Sequence, residues 1–252
     1  MSIDTAHEIG TRAEWLAARE ELLVREKEHT RTGDELARQR RELPWLRIEK
    51  DYPFDTEDGE KTLAQLFDGR SQLLVYHFMF GPSYEAGDPV NSSIADAVDA
   101  LVPHLNARDV TMVLVSQAPI ERLLRYRARM RWSLPWVSSA RTDFSIDLGF
   151  SHPSEQGRTS VASMNVDGLP PIVAQNARSA STDIAGYLTE SPGFSAFVID
   201  RDTVYQTYTT TWRGLEFLMP YYAILDHAPK GRDEGEAWQV WLRRHDEYAA
   251  ER

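Results

Sequence analysis

Two stretches of almost uninterrupted apolar residues mark the centre of the chain. Ser71–Phe80 and Asp109–Ser116 are apolar nearly throughout, a pattern that predicts central strands buried on both faces. Between them, apolar residues recur at helical spacing from about Ser92 to Asn106, and Pro119 opens a second helical segment after the second strand. This order of strand, helix, strand and helix is typical of parallel strands that are joined by helical crossovers.

The pattern changes to a hairpin near the end of the chain. Ser195–Asp200 and Thr203–Thr209 both have strand character, and only a tight turn separates them. A helix is predicted from about Gly214 to Leu225, which Pro220 should kink or end. Together with the first half, this order predicts an α/β protein with a thioredoxin-like fold, in which helices flank a central mixed sheet.

Helical extensions flank the predicted sheet. Thr11–Glu14 fits a capping box, and Thr32–Glu35 predicts a break before a second helix that must stop ahead of Pro44. The segment from about Glu234 to Tyr248 predicts a C-terminal helix. Residues 151–192 have weak periodicity, which predicts an insertion before the third core strand. The predicted parts are an N-terminal helical arm (1–50), a thioredoxin-like domain (51–230) and a C-terminal helix (231–252).

The composition of the chain narrows the classes of molecule that we expect it to bind. The chain has 252 residues, with 28 Lys and Arg against 39 Asp and Glu, and a net charge of −11 opposes binding to nucleic acid or anionic lipid. No stretch reaches the ~18 consecutive apolar residues of a membrane span, and Met1–Gly10 lacks the pattern of a secretory signal. We therefore expect a cytoplasmic protein, and the long charged arms favour a homodimer because their apolar stripes need a surface to cover.

The chain contains no cysteine. Disulfides, thiolate nucleophiles, iron–sulfur clusters and thiolate zinc sites are therefore excluded. Any chemistry must come from histidine, carboxylates, hydroxyl groups, tyrosine, lysine or a bound cofactor.

Several segments resemble one bacterial family. They include RELPWLRIEKDYPF, LLVYHFMFGPSYEAGDP, MRWSLPWVSSARTDF, TYTTTWRGLEFL and the late RRHDEY. These segments are similar to the thioredoxin-like family of predicted dithiol–disulfide oxidoreductases, which is catalogued mainly as a domain of unknown function. The resemblance runs from about residue 15 to the C-terminus, and it implies a thioredoxin-like fold.

One departure from that family changes the functional expectation. Family members typically carry a Cys-x-x-Cys pair at the start of the helix after the first apolar strand, where this chain has Asp88-Pro89-Val90-Asn91. Thiol–disulfide exchange requires a thiolate that attacks a disulfide sulfur, and no other side chain does this. The resemblance therefore implies the family's fold without its presumed reaction.

The resemblance places the candidate site at the start of this helix. Helix N-termini attract anions, and ligands of α/β proteins bind at the carboxyl ends of parallel strands. The residues expected to supply acid–base or metal-ligating groups are His77, Glu85 and Asp88. Those expected to contact a substrate are Tyr84, Asn91, Ser92, Trp132, Trp136 and Pro192, the last of which matches the cis proline of thioredoxin folds loosely.

Structural roles remain open for the same residues. Asp88-Pro89 is a favourable helix start, with the aspartate as the cap and the proline at the first helical position. His77 lies within an apolar strand, where a hydrogen-bonded core histidine is the common case. No nucleophile-elbow pattern surrounds Ser92, and no paired-histidine spacing links His77 to His104, so the sequence leaves metal and cofactor undetermined.

Two functions fit these observations. In one, the site has become a small-molecule enzyme that uses polar or metal-ligating groups in the old active-site loop. In the other, the chain is a non-catalytic protein that binds a ligand or serves a structural role. The first depends on the polar segment GPSYEAGDPVNSS, and the second on the lack of a complete catalytic constellation.

Overall fold

A mixed sheet forms the centre of the protein. The structure is a computed structural model that describes residues 8–152, 155, 158–159, 168–235 and 238–248. Within these residues the sheet has eight strands in the order β1-β8-β7-β4-β5-β6-β2-β3. The strands are β1 (Leu46–Arg47), β2 (Pro53–Thr56), β3 (Gly59–Thr62), β4 (Gln72–His77), β5 (Val110–Ser116), β6 (Trp136–Ser138), β7 (Gly193–Asp200) and β8 (Thr203–Thr211).

Helices connect and flank these strands. They are α1 (Arg12–Arg41), α2 (Pro89–Asp99), α3 (Val102–Asn106), α4 (Ile120–Met130), α5 (Phe144–Asp147), α6 (Pro171–Ser179), α7 (Ile184–Tyr187) and α8 (Pro220–Leu225). Two 3-10 helices span Ala64–Phe67 and Trp212–Leu218. None of the described helices is long and apolar enough to cross a membrane.

The strand topology is that of a thioredoxin-like fold. β4 and β5 are parallel and joined through α2, β7 runs antiparallel to β4, and β7 and β8 form a hairpin. The fold class predicted from the sequence is thus confirmed. β6 extends the sheet parallel to β5, and the β2–β3 hairpin follows at that edge.

Apolar layers cover both faces of the sheet. Tyr76 and Leu114 belong to the cluster that α2 and α4 cover, whereas Val75 and Val113 belong to a second cluster on the other face. Neighbouring residues of a strand point to opposite faces, so both must be apolar when both faces are covered. This explains why the sequences of β4 and β5 are nearly continuous apolar runs.

The described residues up to Trp45 form one compact unit, and those from Leu46 onward form the other. The predicted capping box is present, since Thr11 Oγ1 accepts from the Glu14 amide while the Glu14 carboxylate accepts from the Thr11 amide. The predicted break at Thr32–Glu35 is wrong, because α1 is one continuous helix of 30 residues. A single glycine inside a helix costs only about 1 kcal/mol, and the ion pairs of Arg38 with Glu35 and Glu42 stabilise the turns that follow Gly33.

The C-terminal helix predicted for 231–252 is also wrong over the described residues, because 231–235 and 238–248 contain turns and no α-helix. Gln239 has a φ of 62°, which ends a right-handed helix, and its amide donates to the side chain of Glu234. The described part of the predicted insertion at 151–192 contains α6 and α7, and the rest lies outside the described residues. The effect predicted for Pro220 is confirmed, since α8 begins at this residue.

Candidate functional site

Asp88 caps α2 from a buried position. Its Oδ1 accepts a hydrogen bond of 2.9 Å from the Asn91 amide, its Oδ2 accepts one of 2.7 Å from Asn91 Nδ2, and Pro89 occupies the first helical position. The Asp88 side chain is fully buried, and this burial raises its pKa, while the bonds from Asn91 act in the opposite direction. Asp88 is therefore a helix cap, the structural role that the Asp-Pro pair favoured.

A buried polar network extends from this cap. Asn91 Oδ1 accepts from Tyr76 Oη at 2.6 Å and from the Met79 amide at 3.3 Å. The Tyr187 hydroxyl accepts from Asn176 Nδ2 at 3.1 Å. Burial raises the pKa of both tyrosines well above 10, and the charge of Asp88 contributes to the raised pKa of the Tyr187 hydroxyl. Each hydroxyl therefore keeps its proton.

Arg244 joins this helix start to the C-terminal segment. Its Nε donates to the Gly87 carbonyl at 2.8 Å and to Tyr126 Oη at 2.9 Å, and its Nη2 donates to the Ser179 carbonyl at 2.6 Å. The buried guanidinium favours the ionised form of Asp88. Sequence reasoning missed this residue, although it lies in the RRHDEY segment on which the family resemblance partly rests.

His77 lies on the opposite face of the sheet from this network. It follows Tyr76 directly, so its side chain points away from α2. His77 Nε2 lies 2.9 Å from Ser195 Oγ, and its ring stacks on Phe150 at 3.9 Å between centroids. Burial lowers the pKa of His77 to about 3, so it is a neutral core histidine.

A glycine makes room for this stack. Gly193 pairs with His77 in the sheet register, and a Cβ atom at Gly193 would lie 1.9 Å from the Phe150 ring. No side chain can occupy that distance from a ring, so residue 193 must be glycine while Phe150 covers His77.

The predicted grouping of His77, Glu85 and Asp88 is not formed. Glu85 has an exposed side chain whose carboxylate lies 3.8 Å from Arg122, whereas His77 and Asp88 are buried. No set of three or more histidines and carboxylates suited to a metal ion occurs in the part of the chain that the structure describes. The three residues do not form one site although they are close in sequence. His77 points to the face of β4 that lies away from α2, and Glu85 lies in an exposed loop.

The residues predicted to contact a substrate divide between a pocket and the core. Tyr84 Oη donates to the Tyr187 carbonyl, and Ser92 Oγ lies 2.9 Å from Tyr126 Oη. Trp132 donates to Asp96 and Trp136 to Ser116 Oγ, within an aromatic cluster of the core. Only Asn91 and Pro192 of the six line the pocket described next. The peptide bond before Pro192 is trans rather than cis.

A cavity of about 90 Å³ lies against the first turns of α2. We call it the α2 pocket. Side chains of α2, α6, the Trp212–Leu218 helix and the C-terminal segment surround it, and most of them are apolar. They include Met79, Val90, Ile94, Ile172, Leu215 and Met219. The pocket therefore suits a small apolar group, and it lies at the helix start where the sequence resemblance implies that family members carry a Cys-x-x-Cys pair.

The geometry at this helix start predicts that a disulfide can form there. Replacing both Asp88 and Asn91 with cysteine puts two side chains three residues apart on a first helical turn, a spacing that suits a disulfide. We expect mild oxidation to remove two hydrogens from the double variant, as measured by intact-mass spectrometry. The control is the Asp88→Cys single variant, and an unchanged mass in the double variant would contradict the placement.

The model of a family described as bacterial protein of unknown function, DUF899, matches residues 4–248. No curated protein matches the sequence. Similar solved structures include the peroxidoxin BcpB of Mycobacterium tuberculosis, 14% identical over 72% of this chain and 96% of that chain, with a TM-score of 0.43. A peroxiredoxin 6 mutant of Arenicola marina is 12% identical over 75% of this chain and 76% of that chain, with a TM-score of 0.44. The strand topology, rather than these distant likenesses, defines the fold.

Proposed function

The chain belongs to the bacterial DUF899 family, whose function is unknown, and we propose that this member is a non-catalytic protein that binds a small apolar molecule in its α2 pocket. One observation carries the proposal. An apolar cavity lies against the start of α2, and Val90 and Asn91 of the Asp88–Asn91 segment, where the resemblance implies a dithiol in other members, line it. Pockets of this kind, apolar with few polar groups, are the usual binding sites for small molecules.

The proton chemistry of the pocket favours binding over catalysis. General acid–base catalysis needs a group that exchanges a proton near the working pH. Tyr76 and Tyr187 keep their protons, and the Glu216 carboxylate is paired with Arg213 at 2.6 Å. The enzyme hypothesis depended on His77, Glu85 and Asp88 acting together, and these residues lie apart.

Filling the pocket tests the proposal. Val90→Phe adds a ring to a half-buried residue that lines the cavity, so we expect it to abolish co-purification of a small molecule with the protein. Native mass spectrometry of freshly purified wild type and variant measures this directly. The same spectra show whether the chain is the homodimer that the sequence predicts.

A matched control separates pocket filling from general damage. Val102→Phe makes the same change at a half-buried residue of α3 that does not line the pocket. We expect the control to keep the bound molecule. If Val90→Phe and Val102→Phe retained it equally, the α2 pocket would not be the binding site.

A further inference from the structure

Three buried polar atoms of the α2 pocket have no hydrogen-bond partner among the described residues, and one of them, Glu216 Oε1, lies in an ion pair with Arg213 at 2.6 Å. The other two are uncharged. Asn176 Oδ1 and Trp238 Nε1 are both buried, and neither has a hydrogen-bond partner among the described residues. Both residues line the pocket, and the Asn176 side chain is only 5% exposed. A buried polar group without a partner costs about 1–3 kcal/mol, so such atoms are rare unless something binds them.

The network behind the pocket determines which Asn176 atom is free. Tyr187 Oη accepts a hydrogen bond from Asn176 Nδ2 at 3.1 Å. This bond orients the amide so that the carbonyl oxygen Oδ1 is left without a partner among the described residues and can accept a hydrogen bond.

A free acceptor and a free donor thus line one cavity without bonding to each other. Asn176 Oδ1 can accept and Trp238 Nε1 can only donate. A single hydroxyl group satisfies both, because it donates one proton and accepts through its oxygen. A methyl group of the same size satisfies neither.

The charges of the pocket favour a neutral molecule. Its charged lining residues Arg213 and Glu216 are paired with each other, and Glu216 also lies 3.6 Å from Arg232. An ionised ligand would lose its water without gaining a free counter-charge among the described lining residues, which is costly. The cavity, about 90 Å³, is smaller than the engineered cavity of roughly 150 Å³ that holds benzene, so it limits the apolar body to at most one ring.

We propose that the α2 pocket binds a small neutral molecule with an apolar body of at most one ring and one hydroxyl group, which bonds between Asn176 Oδ1 and Trp238 Nε1. This assignment rests on the binding function proposed above and specifies the chemical class of its ligand.

Phenol and toluene test the assignment, because they differ only in a hydroxyl group and a methyl group. We expect the wild-type protein to bind phenol about tenfold more tightly than toluene in calorimetric titrations, since a hydrogen bond in a buried site is worth about that factor. Benzoate, which is charged, should bind at least tenfold more weakly than phenol.

Trp238→Phe removes the free donor while keeping a ring in the pocket wall. We expect this variant to lose most of the preference for phenol and to bind toluene as the wild type does. The control is Trp212→Phe, the same change at a lining residue whose indole nitrogen is not among the unpartnered atoms. This control should keep the preference.

The outcomes separate the two proposals. Equal affinity for phenol and toluene in the wild type would overturn the hydroxyl assignment and leave the binding function standing. An unchanged preference in Trp238→Phe would likewise overturn it. If neither phenol nor toluene bound, the binding function itself would fail.

Discussion

Glu190→Gln is expected to stabilise the protein above pH 8 and to leave its stability near pH 4 unchanged. Glu190 is 4% exposed, and burial raises the pKa of its carboxyl group from 4.5 to about 8, although Ser151 Oγ and Thr189 Oγ1 donate to it. The folded protein therefore binds the proton more tightly than the unfolded chain does. This contribution to stability is fully present below pH 4.5 and is lost as the pH rises through 8.

The size of the effect follows from the shift in pKa. Each pKa unit corresponds to 1.36 kcal/mol, so the loss approaches about 5 kcal/mol once the pH exceeds the folded pKa. Glutamine has no proton to lose, so the variant avoids this loss. Urea denaturation of wild type and variant at several pH values between 4 and 9 measures the difference.

An exposed glutamate provides the control for this experiment. Glu85→Gln makes the same chemical change at a residue with a 64% exposed side chain. We expect its stability profile to run parallel to that of the wild type. If the Glu190→Gln profile were also parallel, the carboxyl group would not be protonated in the folded protein.

The sequence predicts the fold well because its signals are local. The runs at β4 and β5, the tight turn between β7 and β8 and the helix start at Asp88-Pro89 each follow from the chemistry of a few adjacent residues. The match of the DUF899 family confirms the resemblance as far as a bacterial family of unknown function. Local patterns and a family resemblance thus suffice for the class of fold.

The candidate site depends on information that local patterns do not contain. Because both faces of β4 are covered by apolar layers, its sequence does not show that Tyr76 faces α2 and His77 faces away. Arg244 reaches Gly87 across 157 positions of the chain, and no periodicity predicts such a contact. Likewise, the sequence does not show that Asn176 Oδ1 and Trp238 Nε1 lack hydrogen-bond partners among the described residues of the α2 pocket, because this depends on how distant segments pack.

The C-terminal segment illustrates how packing overrides a helical pattern. Trp238, Trp241 and Leu242 have helical spacing, which predicts one apolar side. In the folded chain, Leu242 is buried and the Trp241 indole donates to Glu234, while Arg244 enters the domain to bond Gly87 and Ser179. These contacts replace the hydrogen bonds that a helix would supply.

Asp88→Ala is expected to lower the free energy of unfolding by about 3–5 kcal/mol. The substitution leaves the amide and Nδ2 of Asn91 without their acceptor in a buried site. Each buried donor without a partner costs about 1–3 kcal/mol, and the lost helix cap adds to this. Asp88→Asn keeps one carbonyl oxygen as an acceptor and should cost less than half as much. Urea denaturation of both variants measures the difference.

A second capping aspartate isolates the effect of burial, and ligand binding then separates structure from function. Asp183 caps α7 by accepting from the Gly186 amide, but its side chain is 68% exposed, so Asp183→Ala should cost only about 1 kcal/mol. Equal losses for Asp88→Ala and Asp183→Ala would contradict the buried network. Since Asp88 does not line the pocket, the folded fraction of Asp88→Ala should still bind toluene within a few fold of the wild type. A variant that folds yet binds neither phenol nor toluene would instead place Asp88 among the groups that shape the site.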